Sequence, residues 1–191
     1  MTALRSTLSM GLDVAGATTN VGDLPDGQFM AWMGQFQWAQ RIVKYHQIVK
    51  YHQIVLRLDA QVASLPLLPM EQFGVGGTLS VRGYRENQLV RDYGYIVSLE
   101  YRVPVPRLTL NTQGGRPVEV VAFFDHGGAW YLRSVETSPS QLSSIGLGLR
   151  WDPVRYIHTE LFWGYALNDV KNARDSNWQD SGVHFSLSTS F

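Results

Sequence analysis

Gly76-Gly77-Thr78-Leu79-Ser80-Val81-Arg82-Gly83-Tyr84 is the stretch on which the fold turns, a glycine-rich segment ending in the tetrapeptide VRGY. It lies between two runs of alternating apolar and polar residues, inside a connector that the pattern draws from Leu65 to Asp92. A hairpin needs Gly, Asn or Asp within about two to five residues. Connections without secondary structure become uncommon beyond ~12–15 residues, and those that persist are usually functional. An arginine set between Val and Gly-Tyr is not a turn residue, so this connector is expected to do more than reverse the chain. Two further signals accompany it: the run Phe123-Phe124-Asp125-His126-Gly127 and the terminal aromatic Phe191.

Outward from the loop, every second residue is apolar. Leu4, Leu8, Met10, Leu12 and Val14 share one face, with Arg5, Thr7, Ser9 and Asp13 on the other. Met30, Trp32, Phe36 and Trp38 follow less cleanly, then Ile54, Leu56, Leu58, Ala60 and Val62 against Arg57, Asp59 and Gln61. Beyond the loop, Tyr95, Val97, Leu99, Tyr101 and Val103 oppose Ser98, Glu100 and Arg102, and Val118, Val120, Ala122 and Phe124 oppose Glu119, Phe123 and Asp125. Three more runs carry the pattern through Ile145–Trp151, Ile157–Tyr165 and Val183–Phe191. The period predicts about eight strands, most near the ~9–11 residues a tilted strand needs to cross a bilayer.

The connectors alternate in length. Asp152-Pro153-Val154-Arg155 reads as a tight turn, whereas Ala15–Gln28, Leu65–Asp92, His126–Gln141 and Asn168–Asp180 are long; Pro104–Pro117 breaks the rule. Short turns on one side and long loops on the other are the habit of outer-membrane barrels, as are aromatics near strand ends such as Trp130, Trp151, Tyr156, Trp163 and Tyr165. Alternation alone leaves two readings open. A soluble sandwich alternates as well, with its apolar face inward.

Composition narrows the class. The 191 residues carry 16 basic and 16 acidic side chains, so no net charge points to nucleic acid or to a polybasic membrane anchor. Cysteine is absent, which removes disulfides and thiolate metal sites. Apolar residues make up 45%, yet no run approaches the ~18 needed for a spanning helix. The opening MTALRSTLSM lacks the continuous apolar core of a secretory signal. The hexapeptide IVKYHQ at 42–47 recurs at 48–53, and the even length preserves which face later residues present. At strand spacing its His46 and His52 would stand ~20 Å apart, too far for one ion, so no metal site is assigned. GxSxG, HExxH and Walker patterns are missing, and Asp125 and His126, as neighbours on a strand, must face opposite ways. No catalytic residue and no cofactor is expected; the chain does not read as an enzyme.

From Leu68 to Val103 the chain reads LPMEQFGVGGTLSVRGYRENQLVRDYGYIVSLEYRV. This resembles the TpsB transporters of two-partner secretion, the haemolysin and haemagglutinin secretion/activation proteins, which share a superfamily with the BamA outer-membrane assembly factor. The likeness runs on through FFDHG to Phe191. It implies an all-β, antiparallel transmembrane barrel of sixteen strands, of which residues 1–191 would be the C-terminal part, roughly the last eight. The VRGY loop (65–92) would be extracellular and folded back into the lumen, and the signal peptide and POTRA domains would lie outside this chain.

The resemblance also implies the parts. Arg82, a planar fork of donors suited to bidentate pairing with a carboxylate, would lock onto the strand motif of Phe123, Asp125 and Gly127. Val81, Gly83 and Tyr84 complete the loop motif, and Phe191 would be the C-terminal signal read by the barrel-assembly machinery. The implied function is a pore in the outer membrane of a Gram-negative bacterium, monomeric when full length, that passes an unfolded secreted exoprotein. The alternative within the fold is assembly or insertion of outer-membrane proteins. One departure stands out: the family's Gly-Asp-x-Gly segment is Arg91-Asp92-Tyr93-Gly94 here, read as drift. Eight strands of a larger barrel leave two open edges, costly in a bilayer, so these strands alone are not expected to form a working pore.

Overall fold

The computed structural model describes residues 1–12, 25, 27–42, 52–105, 117–133, 138–170 and 178–190. Ten strands follow in chain order: β1 (Thr2–Gly11), β2 (Phe29–Ile42), β3 (His52–Ala63), β4 (Phe73–Val75), β5 (Leu89–Arg91), β6 (Tyr93–Val105), β7 (Val118–Trp130), β8 (Gln141–Val154), β9 (Ile157–Ala166) and β10 (Val183–Thr189). A 3-10 turn, Trp178–Ser181, precedes the last. Eight strands form one sheet in the order β1-β2-β3-β6-β7-β8-β9-β10, with each neighbouring pair antiparallel. β4 and β5 pair separately within the loop. Among the described residues no helix is long and apolar enough to cross a membrane.

The two faces of the sheet settle what alternation left open. Its apolar face is the bare one: Ile145 is 53% exposed, Trp163 51% and Phe185 65%, with Leu99, Phe124, Leu147 and Leu161 beside them. A soluble sandwich would bury this face. The opposite face carries Ser98, Glu100, Asp125, Ser144 and His184, all buried. What covers it is the chain's own loop. Phe73, Val75, Val81, Tyr84 and Leu89 from the loop pack with Ile96, Ala129 and Leu142 from the sheet. The core therefore lies between loop and wall rather than between two sheets.

The boundaries differ from the sequence expectation in three places, each for a physical reason. β7 does not stop near Asp125 but runs to Trp130, placing Asp125 in mid-strand. Gly127, Gly128 and Ala129 continue the ladder against Ile96, Tyr95 and Gly94, and the small size of Gly127 and Ala129 leaves room for the loop above. β8 likewise continues through Asp152-Pro153-Val154, and an irregularity between Trp151 and Val154 absorbs the proline, which has no N–H to give. Only Arg155 and Tyr156 then separate β8 from β9. The connector from Leu65 to Asp92 is also not structureless, since β4 and β5 form a short ladder pairing Phe73 with Arg91 and Val75 with Leu89.

Of the repeated hexapeptide, Ile42 closes β2 and pairs with His52, which opens β3. His52 meets the hydroxyl of Tyr101. Residues 43–51 of the repeat, with His46, lie outside the described residues, as does Phe191.

Candidate functional site: a loop pinned to the inner wall

β4 rises and β5 returns, so the nine residues from Gly76 to Tyr84 form the tip of a hairpin laid on the inner face. Arg82 is its most buried cation, 3% exposed, and Asp125 beneath it is 0% exposed. Nε of Arg82 donates to Oδ2 of Asp125 at 2.7 Å and Nη2 donates to Oδ1 at 2.8 Å, a bidentate fork. Nη1 donates to Oε1 of Glu100 at 2.7 Å, and Nη2 also reaches Oγ of Ser98 at 3.2 Å. The backbone N–H of Arg82 adds a bond to Asp125 at 3.1 Å, and Ser98 donates to the same carboxylate at 2.6 Å. The guanidinium carbon lies 3.7 Å from the ring centre of Phe123 and 4.7 Å from that of Phe162, which meet edge to face. Two carboxylates, a hydroxyl and two π faces thus enclose one cation. Burial disfavours its charge, but Asp125 and then Glu100 outweigh burial, so its pKa stands above the ordinary arginine value.

The neighbours of Arg82 explain how the chain reaches this position. Gly83 has φ of +95°, a conformation side chains rarely adopt, and a Cβ there would stand 2.9 Å from the Gly164 carbonyl oxygen on β9. Val81 is fully buried, and a Cβ on Gly127 would lie 3.1 Å from one of its methyls and 2.9 Å from Val75. Gly127 is therefore the bare patch on which the loop rests. Tyr84 points the other way: its hydroxyl donates to the Ser143 carbonyl at 2.8 Å and accepts from the Asn168 N–H at 3.0 Å. Burial pushes its phenol up, partly offset by these backbone bonds.

The structure thus brings Arg82, Asp125 and Phe123 into one contact, sets Gly127 under the loop, and holds Val81, Gly83 and Tyr84 around it. It adds residues that the sequence reading left unassigned. Glu100 and Ser98 were placed only on the polar face, although Ser98 pairs with Asp125 and Glu100 with Phe123 in the β6–β7 register. That shared face was the signal that could have found them. His184 on β10 accepts the Gly83 N–H at Nε2, 3.0 Å away. Arg57 on β3 donates to the carbonyl of Leu79 at the tip.

The segment read as drift anchors the base of the loop. Asp92, 2% exposed, accepts from Leu67 N–H and Leu132 N–H at 2.9 Å each, tying the loop's first turn to the connector after β7. Arg91 donates to the carbonyls of Ala129 and Pro139 at 2.8 Å each. Gly94 carries the close approach, since a Cβ there would stand 2.7 Å from the Phe73 ring.

Below the Arg82–Asp125 contact the inner face stays charged. Arg102 reaches Glu100 at 2.6 Å, Arg150 reaches Glu160 at 2.9 Å, and His158 lies 2.9 Å from Asp152. Arg102, Arg150, Glu160, His158 and Asp152 line a polar recess with Glu119 and Ser188. Asp125 and His126 do face opposite ways: His126 stands on the outer side between the Tyr95 hydroxyl and Ser143 Oγ, 2.8 Å from each.

An antiparallel sheet that is apolar outside and polar inside, with a long loop pinned to the inner wall, defines the class as an outer-membrane-type β-barrel wall. Comparison with known proteins gives the family. Residues 2–151 match the haemolysin secretion/activation protein family ShlB/FhaC/HecB, and the chain belongs to that family, the TpsB-type transporters. CdiB from Acinetobacter baumannii shares the fold, with a TM-score of 0.63 at 21% identity over 86% of this chain. The chain spans 28% of the length of CdiB. No curated protein matches it.

Proposed function

We propose that the chain forms the C-terminal part of an outer-membrane pore that passes one unfolded exoprotein out of a Gram-negative cell. In this reading, residues 1–191 are wall and inward-folded loop, and the remaining strands, the POTRA domains and the signal peptide belong to the rest of the protein. The observation that carries it is the Arg82–Asp125 contact, a buried cation delivered by a loop to the inner face of a wall whose outer face is apolar. Such a contact holds a plug inside the barrel without sealing it covalently. No catalytic step is needed, because the partner is moved rather than changed. Phe191 serves as the terminal signal through which the barrel-assembly machinery inserts the protein.

The test is export of the cognate exoprotein from cells making the full-length transporter. Arg82→Ala and Asp125→Ala each lower the amount released while the barrel remains in the outer membrane. Wild-type release in both variants contradicts the reading. If depletion instead lowers the levels of many unrelated outer-membrane barrels and leaves the exoprotein alone, the protein is an assembly factor of the same superfamily.

A further inference from the structure

We infer that the loop tip is fastened a second time, to the edge strand β10, and that this fastening couples the position of the loop to the pairing of that strand. Three contacts carry the inference, none of which involves Asp125. The N–H of Gly83 donates to Nε2 of His184 at 3.0 Å. An imidazole that accepts at Nε2 carries its proton on Nδ1, and that nitrogen stands 3.2 Å from the Thr78 hydroxyl, which accepts it. Arg85 grips Asp180 with a second fork, Nε to Oδ1 and Nη2 to Oδ2, both at 2.7 Å. Asp180 sits in the 3-10 turn that leads into β10.

The backbone fit agrees. Gly83 lies directly on Gly164 of β9, where a Cβ would come 2.7 Å from the Gly83 nitrogen. Gly164 in turn donates its N–H to the carbonyl of Gly182, the residue before β10, at 2.9 Å. The tip therefore sits over the seam between β9 and β10. A side chain at Gly83 or Gly164 would prise it off, and one at Gly182 would press on the Gly164 backbone.

β10 is the shortest strand of the large sheet at 7 residues, and among the described residues its sheet partner is β9. His184, its second residue, turns toward the loop. Fastening of this kind is reciprocal: whatever withdraws the tip loosens the upper end of β10, and whatever displaces β10 loosens the tip. The coupling itself rests on geometry alone. Its consequence, that an export pore would slacken at this seam when its plug moves, rests on the function proposed above.

Amide exchange in the full-length transporter tests the coupling. Thr78→Ala combined with Arg85→Ala changes only loop residues and alters nothing in β10. It should speed exchange at Val183–Thr189 by about five- to tenfold, the low end of ordinary coupling between sites, while Ile96–Glu100 and Val121–Asp125 keep their wild-type rates. Conversely, Asp180→Ala with His184→Ala should speed exchange at Ser80–Tyr84. Exchanging the charges, Arg85→Asp with Asp180→Arg, should restore protection, which a merely local packing defect would not do. If the double loop variant does not insert, Arg85→Gln alone reads the same coupling. Unchanged exchange at Val183–Thr189 in the loop-side variants overturns the inference. Export of the exoprotein is scored in parallel. Lost coupling with intact export overturns this inference alone, and intact coupling in a protein that exports nothing overturns only the export reading.

Discussion

Replacing Arg82 by alanine strands one specific charge. The substitution removes the fork to Asp125, the bond to Glu100 and the contact with Ser98. Glu100 does not suffer much, because Arg102 still donates to it at 2.8 and 2.6 Å and Arg150 stands 3.9 Å away. Asp125 does. It is 0% exposed and keeps only the Ser98 hydroxyl and the backbone N–H of residue 82. Removing one partner of a buried pair costs about 3–5 kcal/mol, chiefly through the uncompensated charge. At ~1.4 kcal/mol per factor of ten, that is roughly two to nearly four orders of magnitude in the balance between docked and undocked loop. Amide exchange at Ser80–Tyr84 in the full-length protein reads this balance directly. A second substitution isolates the cause: in the Arg82→Ala background, Asp125→Asn removes the stranded charge and should recover ~1–3 kcal/mol, although Asp125→Asn alone is harmful. If Arg82→Ala leaves exchange near the wild-type rate, or if Asp125→Asn makes it worse still, the electrostatic reasoning is wrong.

Other outcomes follow from the same contacts. Gly83→Ala must force a side chain into φ of +95° beside the Gly164 carbonyl, a strain of about 1–3 kcal/mol that should appear as faster exchange of the tip with the barrel still inserted. Asp92→Asn replaces an acceptor of several donors with a group that presents its own N–H, and should cost about 1–3 kcal/mol in thermal unfolding through Leu67 and Leu132. Tyr84 gives a pH dependence: its phenol is raised above 10.0 by burial in the docked loop, so its contribution is whole below that pH and is lost as pH rises through the higher docked value. Tyr84→Phe should remove this alkaline step from a titration of loop exchange. Deleting Phe191 should lower the fraction of full-length protein recovered in the outer membrane, measured by fractionation.

Much of the wall was legible because strand period and burial obey the same rule. Leu99, Ile145, Leu161 and Phe185 fell on one face in the sequence and stand on one exposed face in the structure. The boundaries were less legible, and for a particular reason. Glycine and proline usually end strands, yet Gly127-Gly128 and Pro153 lie inside β7 and β8. There Gly127 serves a neighbour distant in sequence, the loop, and no local pattern announces that. The pairing of Arg82 with Asp125 came from family resemblance, since spacing alone could not bring residues 43 apart together. Glu100 was visible as polar and inward but needed the β6–β7 register to become a partner. His184 and Asp180 were illegible, because their contacts join segments about a hundred residues apart.

The loop is held by two kinds of force, and they are divided along its length. Its stem is fixed by apolar burial: Phe73, Val75 and Leu89 pack against Ile96, Ala129 and Leu142. Burial of this kind is non-directional and scales with area, so removing one methyl group weakens it only in proportion. At the tip Val81 and Tyr84 share in that burial, but directional polar contacts are added to β7, to β10 and to the turn before it, made by Arg82, Gly83 and Arg85. These depend on geometry of a few tenths of an ångström, and each can be cancelled by a single competing charge or donor. A loop built this way keeps its base anchored while its tip remains the part that chemistry on the inner face can address. The charged floor below, from Arg102 to Glu160, presents such chemistry directly beneath it. An all-apolar tip would pack as firmly but would offer no group for a competing charge or donor to displace.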